Sequence, residues 1–310
     1  MTQLADVWRS LHRAESTLVA AGVRADPAPL RAYFDGLPVE RHLAGAIFRL
    51  ASGFDGRHLR VADYGTRYPF SPPELIEATF TALVDVGWLA EGPGGVYALT
   101  DAGRATVTTY YGIVAGGVDR LTPSSVSLED IAFLLAADRR LVEEVAAASS
   151  PAERPILTHR LRGLRPPWEP ARLSHHWQRI WTLVAAHEDA EETVRRGHKM
   201  GALVWFARRQ IWRGRFAVGG VDDLAQVAGR YAPVDAQACA AALASLVAEG
   251  IAMQEGDRYR LTADGAEYFA ADETEIERMF FGWWPDLTDD ERARLLSITQ
   301  QLNEEFAPEA

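Results

Sequence analysis

One cysteine, Cys239, and one lysine, Lys199, stand in a chain of 310 residues. A single cysteine excludes an internal disulfide and any cysteine-built metal cluster, and it fits a reducing compartment. Long apolar runs are also missing. Stretches such as IAFLLAA fall far short of the ~20 residues that a membrane-spanning helix needs. The N-terminal stretch MTQLADVWRSLHRAESTLVAAG carries Asp6, Arg9, His12, Arg13 and Glu15 within its apolar pattern, which is not the pattern of a secretory leader. A cytoplasmic protein with no membrane association is the expectation. There is no phosphate loop, no dinucleotide fingerprint, no G-x-S-x-G elbow and no H-E-x-x-H. Neither an enzyme nor a bound cofactor is therefore expected.

What the chain does have is a normal apolar fraction, 48%, and an uneven charge distribution. Its net charge is −11, yet thirteen Lys or Arg against five Asp or Glu lie between Arg154 and Arg215. Attraction for an anion is thus concentrated mid-chain. The same stretch holds five of the nine tryptophans and five of the eight histidines. A metal site does not follow. His176 and His187 are eleven residues apart, about 16 Å along a helix, and only His187 and Glu191 share an i, i+4 spacing. Two ligands are too few for a protein-built zinc site.

The chain also repeats itself. Residues 67–87 align without a gap on 230–250, with Arg67-Tyr68 meeting Arg230-Tyr231, Leu83-Val84 meeting Leu246-Val247, and Gly87 meeting Gly250. One residue fewer in the next turn brings YALTDAG, from Tyr97 to Gly103, onto YRLTADG, from Tyr259 to Gly265. Ile76, Phe80, Leu83 and Val84 form one helical stripe, matched by Cys239, Leu243, Leu246 and Val247. The glycines supply a left-handed helix stop. A short strand, a polar turn and a returning strand follow in each copy. Cys239 falls in the core stripe, as a small hydrophobe rather than a nucleophile.

Upstream helices (VERHLAGAIFRLASG and MGALVWFARRQIWRG) and downstream capped helices complete both copies. The latter open at Ser127-x-x-Asp130 and Thr288-x-x-Glu291. This order, with its Leu-Thr-x-x-Gly after the hairpin, resembles the MarR-like winged-helix regulators over roughly residues 40–148 and 198–310. The resemblance implies a dimer of that kind fused into one chain, and a transcriptional regulator. The expected fold is mainly α with small β-wings, two winged-helix units in a pseudo-twofold arrangement joined by a helical region. Its expected divisions are a helical arm at 1–38, a first unit at 39–148, a basic Trp/His/Arg-rich connector at 149–197 and a second unit at 198–310.

Base readout needs donors and acceptors facing the major groove. The outward face of the first recognition helix instead offers Glu74, Glu77, Thr81 and Asp85, and that of the second Gln237, Ala240, Ala244 and Ala248. The acidic row reads as a solvated face. The alanine row reads either as a helix filled with a good helix former or as a face that another protein covers at Ala240, Ala244 and Ala248. DNA contact, if made, is expected to be weak and non-specific, through Arg67, Arg230 and the wing residues Arg258 and Arg260. In the basic stretch, Trp177, Trp181, Trp205, Arg208, Arg209 and Trp212 fall on helical stripes. Arginine stacked on tryptophan can hold a small aromatic anion. The competing reading is interdomain packing, with arginine stems covering buried rings.

Overall fold

The computed structural model describes residues 2–39, 41–148, 152–163, 172–212 and 220–308. They form fourteen helices and four short strands. Helices α1 (Thr2–Ala25) and α2 (Ala28–Asp35) precede α3 (Arg41–Gly53), α4 (Val61–Arg67) and α5 (Pro73–Asp85). A hairpin of β1 (Leu89–Gly92) and β2 (Val96–Leu99) leads into α6 (Asp101–Asp119) and α7 (Leu128–Ala147). Helix α8 (Pro155–Arg162) connects to the second half. That half runs α9 (Ser174–Gly197), α10 (Ala202–Trp212), α11 (Gly220–Gly229) and α12 (Ala236–Ala248). It continues with β3 (Ala252–Glu255), β4 (Arg258–Leu261), α13 (Ala263–Phe281) and α14 (Asp289–Phe306). Among the described residues no helix is long and apolar enough to cross a membrane.

The two sheets are separate two-stranded antiparallel hairpins. Leu89 pairs with Leu99 in one and Ala252 with Leu261 in the other. Gly94 and Gly95 turn the first hairpin with φ of 73° and 66°, a conformation open to glycine. Leu59, just before α4, adds an isolated bridge to Tyr97 at the outer side of β2.

The sequence repeat is also a repeat of atomic detail. In the first half Thr100 donates its hydroxyl to the Gly87 carbonyl at 2.7 Å and accepts from the Gly103 amide at 3.0 Å. In the second, Thr262 does the same with Gly250 at 2.7 Å and Gly265 at 3.0 Å. Each threonine caps the long helix after its hairpin. Gly87 and Gly250 adopt φ of 73° and 70°, which ends the preceding helix.

Packing between the halves is reciprocal. Helix α1 lies against α6 of its own half and α14 of the other, while α9 lies against its own α13 and against α7. Both are 24 residues long. Apolar side chains of these helices, among them Leu11, Leu134, Ile180, Ile276 and Leu295, close one central core. Two further cores sit under the hairpins, the first around Ile47, Phe80 and Leu83, the second around Cys239, Leu243 and Leu246.

Candidate functional site

Helices α5 and α12 carry the positions expected to face a ligand or a groove. Glu74, Glu77, Thr81 and Asp85 of α5 are exposed. On α12, Gln237, Ala244 and Ala248 are exposed and Ala240 is half-buried. No described side chain covers the alanine row beyond Ala240. Asp235 caps α12, accepting from the amides of Gln237 at 3.2 Å and Ala238 at 3.3 Å. The first helix thus presents carboxylates and the second almost no polar chemistry, and both lack forked donors for base edges. Cys239 lies beneath, buried, its thiol pushed up to about 11 by that burial. A nucleophile needs the opposite shift.

The approaches to these two helices meet each other. Beyond the end of α11, the carbonyls of Arg230, Tyr231 and Pro233 have no helical partner, as at any helix C-terminus. The first half supplies the donors. Arg49 Nη1 reaches the Arg230 carbonyl at 2.7 Å, Tyr64 the Tyr231 carbonyl at 3.2 Å, and Ser71 the Pro233 carbonyl at 2.5 Å. Ala232 is fully buried in the core of the first half, and Phe70 lies 4.8 Å from Phe206, centroid to centroid. Pro72 and Asp235, the N-cap residues of α5 and α12, flank this junction. Through the Ser71–Pro233 bond they lie no more than roughly 20 Å apart even at full chain extension. Recognition helices that enter successive major grooves stand about 34 Å apart.

The expected DNA-contacting arginines divide. Arg67 does not face phosphate as its sequence position suggests: its side chain is buried and pairs with Glu188 of α9 at 3.0 Å. Its position at the end of α4 turns it under the fold, against Tyr68. Arg230, Arg258 and Arg260 are exposed, and Arg260 is paired with Glu255 across the hairpin.

The six residues expected to hold an aromatic anion are not gathered in one cleft. Trp177 is buried against Tyr111 in the first half, 5.6 Å between ring centroids. Trp181, 38% exposed, donates its indole N–H to Glu15 at 3.0 Å. Trp212, 47% exposed, stacks on Phe269 at 4.7 Å. Trp205, Arg208 and Arg209 come together on α10 against α13, and Trp212 joins them through Phe269, over which both guanidiniums also lie. Arg208 is fully buried, ion-paired with Asp272 and surrounded by Trp205, Tyr268 and Phe269 at 4.5, 5.0 and 5.6 Å from the ring centroids. Arg209 bonds Glu273 at 2.6 Å and lies 3.0 Å from Glu191, which also accepts from the Trp205 indole at 2.9 Å. Both guanidiniums are already matched by carboxylates, which removes the charge that an incoming anion would need. Other parts of the basic stretch, residues 164–171 and 213–219, lie outside the described residues.

The histidines have structural roles as well. His187 lies among Trp8 and Phe280, at 6.0 and 5.2 Å. His176 bonds Asp138 at 2.7 Å. Among the described residues no three metal-ligating side chains converge.

Comparison with protein-family models, with curated proteins and with solved structures returns no match.

Proposed function

We infer that the chain is a winged-helix protein of the transcriptional-regulator type, with two winged-helix units in a pseudo-twofold arrangement within one polypeptide. The shared Thr–Gly cap geometry and the reciprocal packing of α1 and α9 support the pairing, and the Leu59–Tyr97 bridge supplies the third rung that a winged helix has beside its hairpin. In this reading, any duplex contact goes through phosphates, by Arg258 and Arg260 of the second wing and exposed cations of the first unit, and not through bases. The observation that carries contact through phosphates rather than bases is the Ser71–Pro233 junction, which holds the N-termini of both recognition helices far closer than two adjacent major grooves require.

Fluorescence anisotropy with duplexes of unrelated sequence tests it. The expected binding is weak and equal across sequences, and it falls steeply with salt, each neutralised phosphate adding about −0.9 to the log–log slope. Arg258→Gln with Arg260→Gln should flatten that slope. Tight binding to one sequence at physiological salt would overturn contact through phosphates alone, and no binding of any duplex at low salt would sink the regulator reading. A second reading, a non-DNA module for a protein partner or a small anion, is favoured by the acidic face of α5 and the net charge of −11. It predicts no duplex binding even at low salt.

A further inference from the structure

Three arginines of the first half and the connector converge at the root of the first hairpin. There, an open groove of about 770 Å³ is lined, among the described residues, by Arg57, Arg104 and Arg162 and by one carboxylate, Asp55, over a floor of Ala98 and Leu99. The arginines come from three places, the loop between α3 and α4, the first turn of α6 and the last residue of α8.

Two of these mounts are held by close backbone contacts. Leu59 and Tyr97 exchange both backbone bonds at 2.8 Å, and the Leu99 amide donates to the Gly56 carbonyl at 2.8 Å, stitching the loop to β2. A Cβ on Gly56 would stand 2.6 Å from Leu99 Cδ1, so the loop lies directly against that side chain. Helix α8 is held by the buried Arg160, which donates to the Ser52 carbonyl at 2.5 Å and to Gln178 at 3.1 Å. Gly163, next to Arg162, lies against the same Ser52 carbonyl, where a Cβ would come within 2.4 Å.

The charges differ in availability. Arg104 is engaged with the Leu99 carbonyl at 2.6 Å and with Asp101 at 2.8 Å. Asp55 accepts from the Arg57 amide at 3.0 Å. The guanidiniums of Arg57 and Arg162 have no hydrogen-bond or ion-pair partner among the described residues. This contrasts with Arg208 and Arg209, whose charges are spent inside the protein.

We propose that this groove binds a small molecule through a terminal phosphate monoester, gripped by Arg57 and Arg162. A monoester carries a charge of about −1.5 to −2 at neutral pH and three free oxygens, enough for two forked donors at once. A backbone diester offers one charge and two free oxygens. The volume exceeds that of phosphate alone and lies within the roughly 300–1,000 Å³ of small-molecule sites, so an organic body can rest on Ala98 and Leu99. The assignment does not depend on duplex binding.

Isothermal titration of the full chain with phenyl phosphate, methyl phenyl phosphate and a random duplex tests it. Saturable binding of phenyl phosphate is expected, with the diester at least about tenfold weaker. Arg57→Gln with Arg162→Gln should weaken the monoester by about tenfold or more, whereas Arg9→Gln with Arg278→Gln, removing equal charge from exposed positions on α1 and α13, should leave it unchanged. No monoester binding by the wild type overturns the proposal, as does equal loss in both double variants, which marks diffuse charge attraction. Duplex binding that depends on Arg57 and Arg162 without monoester binding also overturns it and assigns the arginines to a nucleic-acid backbone. Failure of the duplex arm alone bears on the regulator reading and not on this site.

Discussion

Ser71 and Pro233 belong to opposite halves of the chain, yet the hydroxyl of one donates to the carbonyl of the other at 2.5 Å. Each lies just before one of the two helices that a regulator would insert into DNA. The bond is therefore a gauge of their separation. Spin labels at exposed Glu74 and Gln237 measure it, with Cys239 buried and out of reach of the labelling reagent. A single distance distribution centred well under the ~34 Å groove repeat is expected, unchanged by added duplex. A mean at or beyond that repeat, or a shift to it on adding DNA, would show that the junction opens.

Gly103 and Gly265 occupy matching places in the two halves. A Cβ on the first would come within 2.2 Å of the Trp88 carbonyl oxygen, and on the second within 2.0 Å of the Ile251 oxygen. Both obstacles are backbone and cannot swing aside. Gly103→Ala and Gly265→Ala should each destabilise by about 3 kcal/mol or more, read from urea unfolding. A near-neutral result at one site only would mean that the two halves do not share this packing.

Those glycines were legible in the sequence because the information is local. Helical spacing placed Ile76, Phe80 and Leu83 inward and Glu74, Glu77 and Asp85 outward, and burial follows it there, but Val84 at the edge of the same stripe is half-buried and its counterpart Val247 is exposed. Leu-Thr-x-x-Gly encodes its cap within a few residues. Long-range partnerships were not legible. Nothing near Arg67 announces Glu188, 121 positions away, and an arginine preceding Tyr68 reads as exposed until α9 closes over it. The equivalence of α1 and α9 was hidden for the same reason, since helices that fill one core by shape need share no residues. The pairing of Arg57 with Arg162 has no local signature either, because the fold alone brings them to one groove.

Arg208 and Asp272 form a buried pair inside an aromatic cage. Arg208→Ala leaves the buried carboxylate with only the His198 ring nitrogen, 2.9 Å from its other oxygen, and should cost about 3 kcal/mol, whereas Arg208→Met combined with Asp272→Leu should recover most of it. Titrating benzoate into the wild type should leave indole emission unchanged, because the cage is already filled by the arginine. A saturable emission change that disappears in Arg208→Ala with Arg209→Ala would restore this cluster as an anion site.

His176 is enclosed by acceptors. Its Nδ1 lies 2.7 Å from Asp138 Oδ2 and its Nε2 3.2 Å from the Leu11 carbonyl. A carbonyl and a carboxylate can only accept, so the two bonds form together with both ring nitrogens protonated, as in an imidazolium. Burial alone pushes this histidine down; the charge and hydrogen bond of Asp138, with Glu15 and the Leu11 carbonyl, outweigh it and raise the value. A raised folded-state value gives stability that is fully present below the unfolded value of about 6.5 and is lost as pH rises through the folded one. His176→Gln, which offers at most a neutral amide, should therefore lose most to wild type at about pH 5.5–6.5, by roughly 3 kcal/mol, and less as the pH climbs above neutrality. Urea unfolding at a series of pH values reads the gap directly. A gap that stays constant with pH, or widens in alkali, would mean that His176 is held neutral and that one of its two bonds is not made.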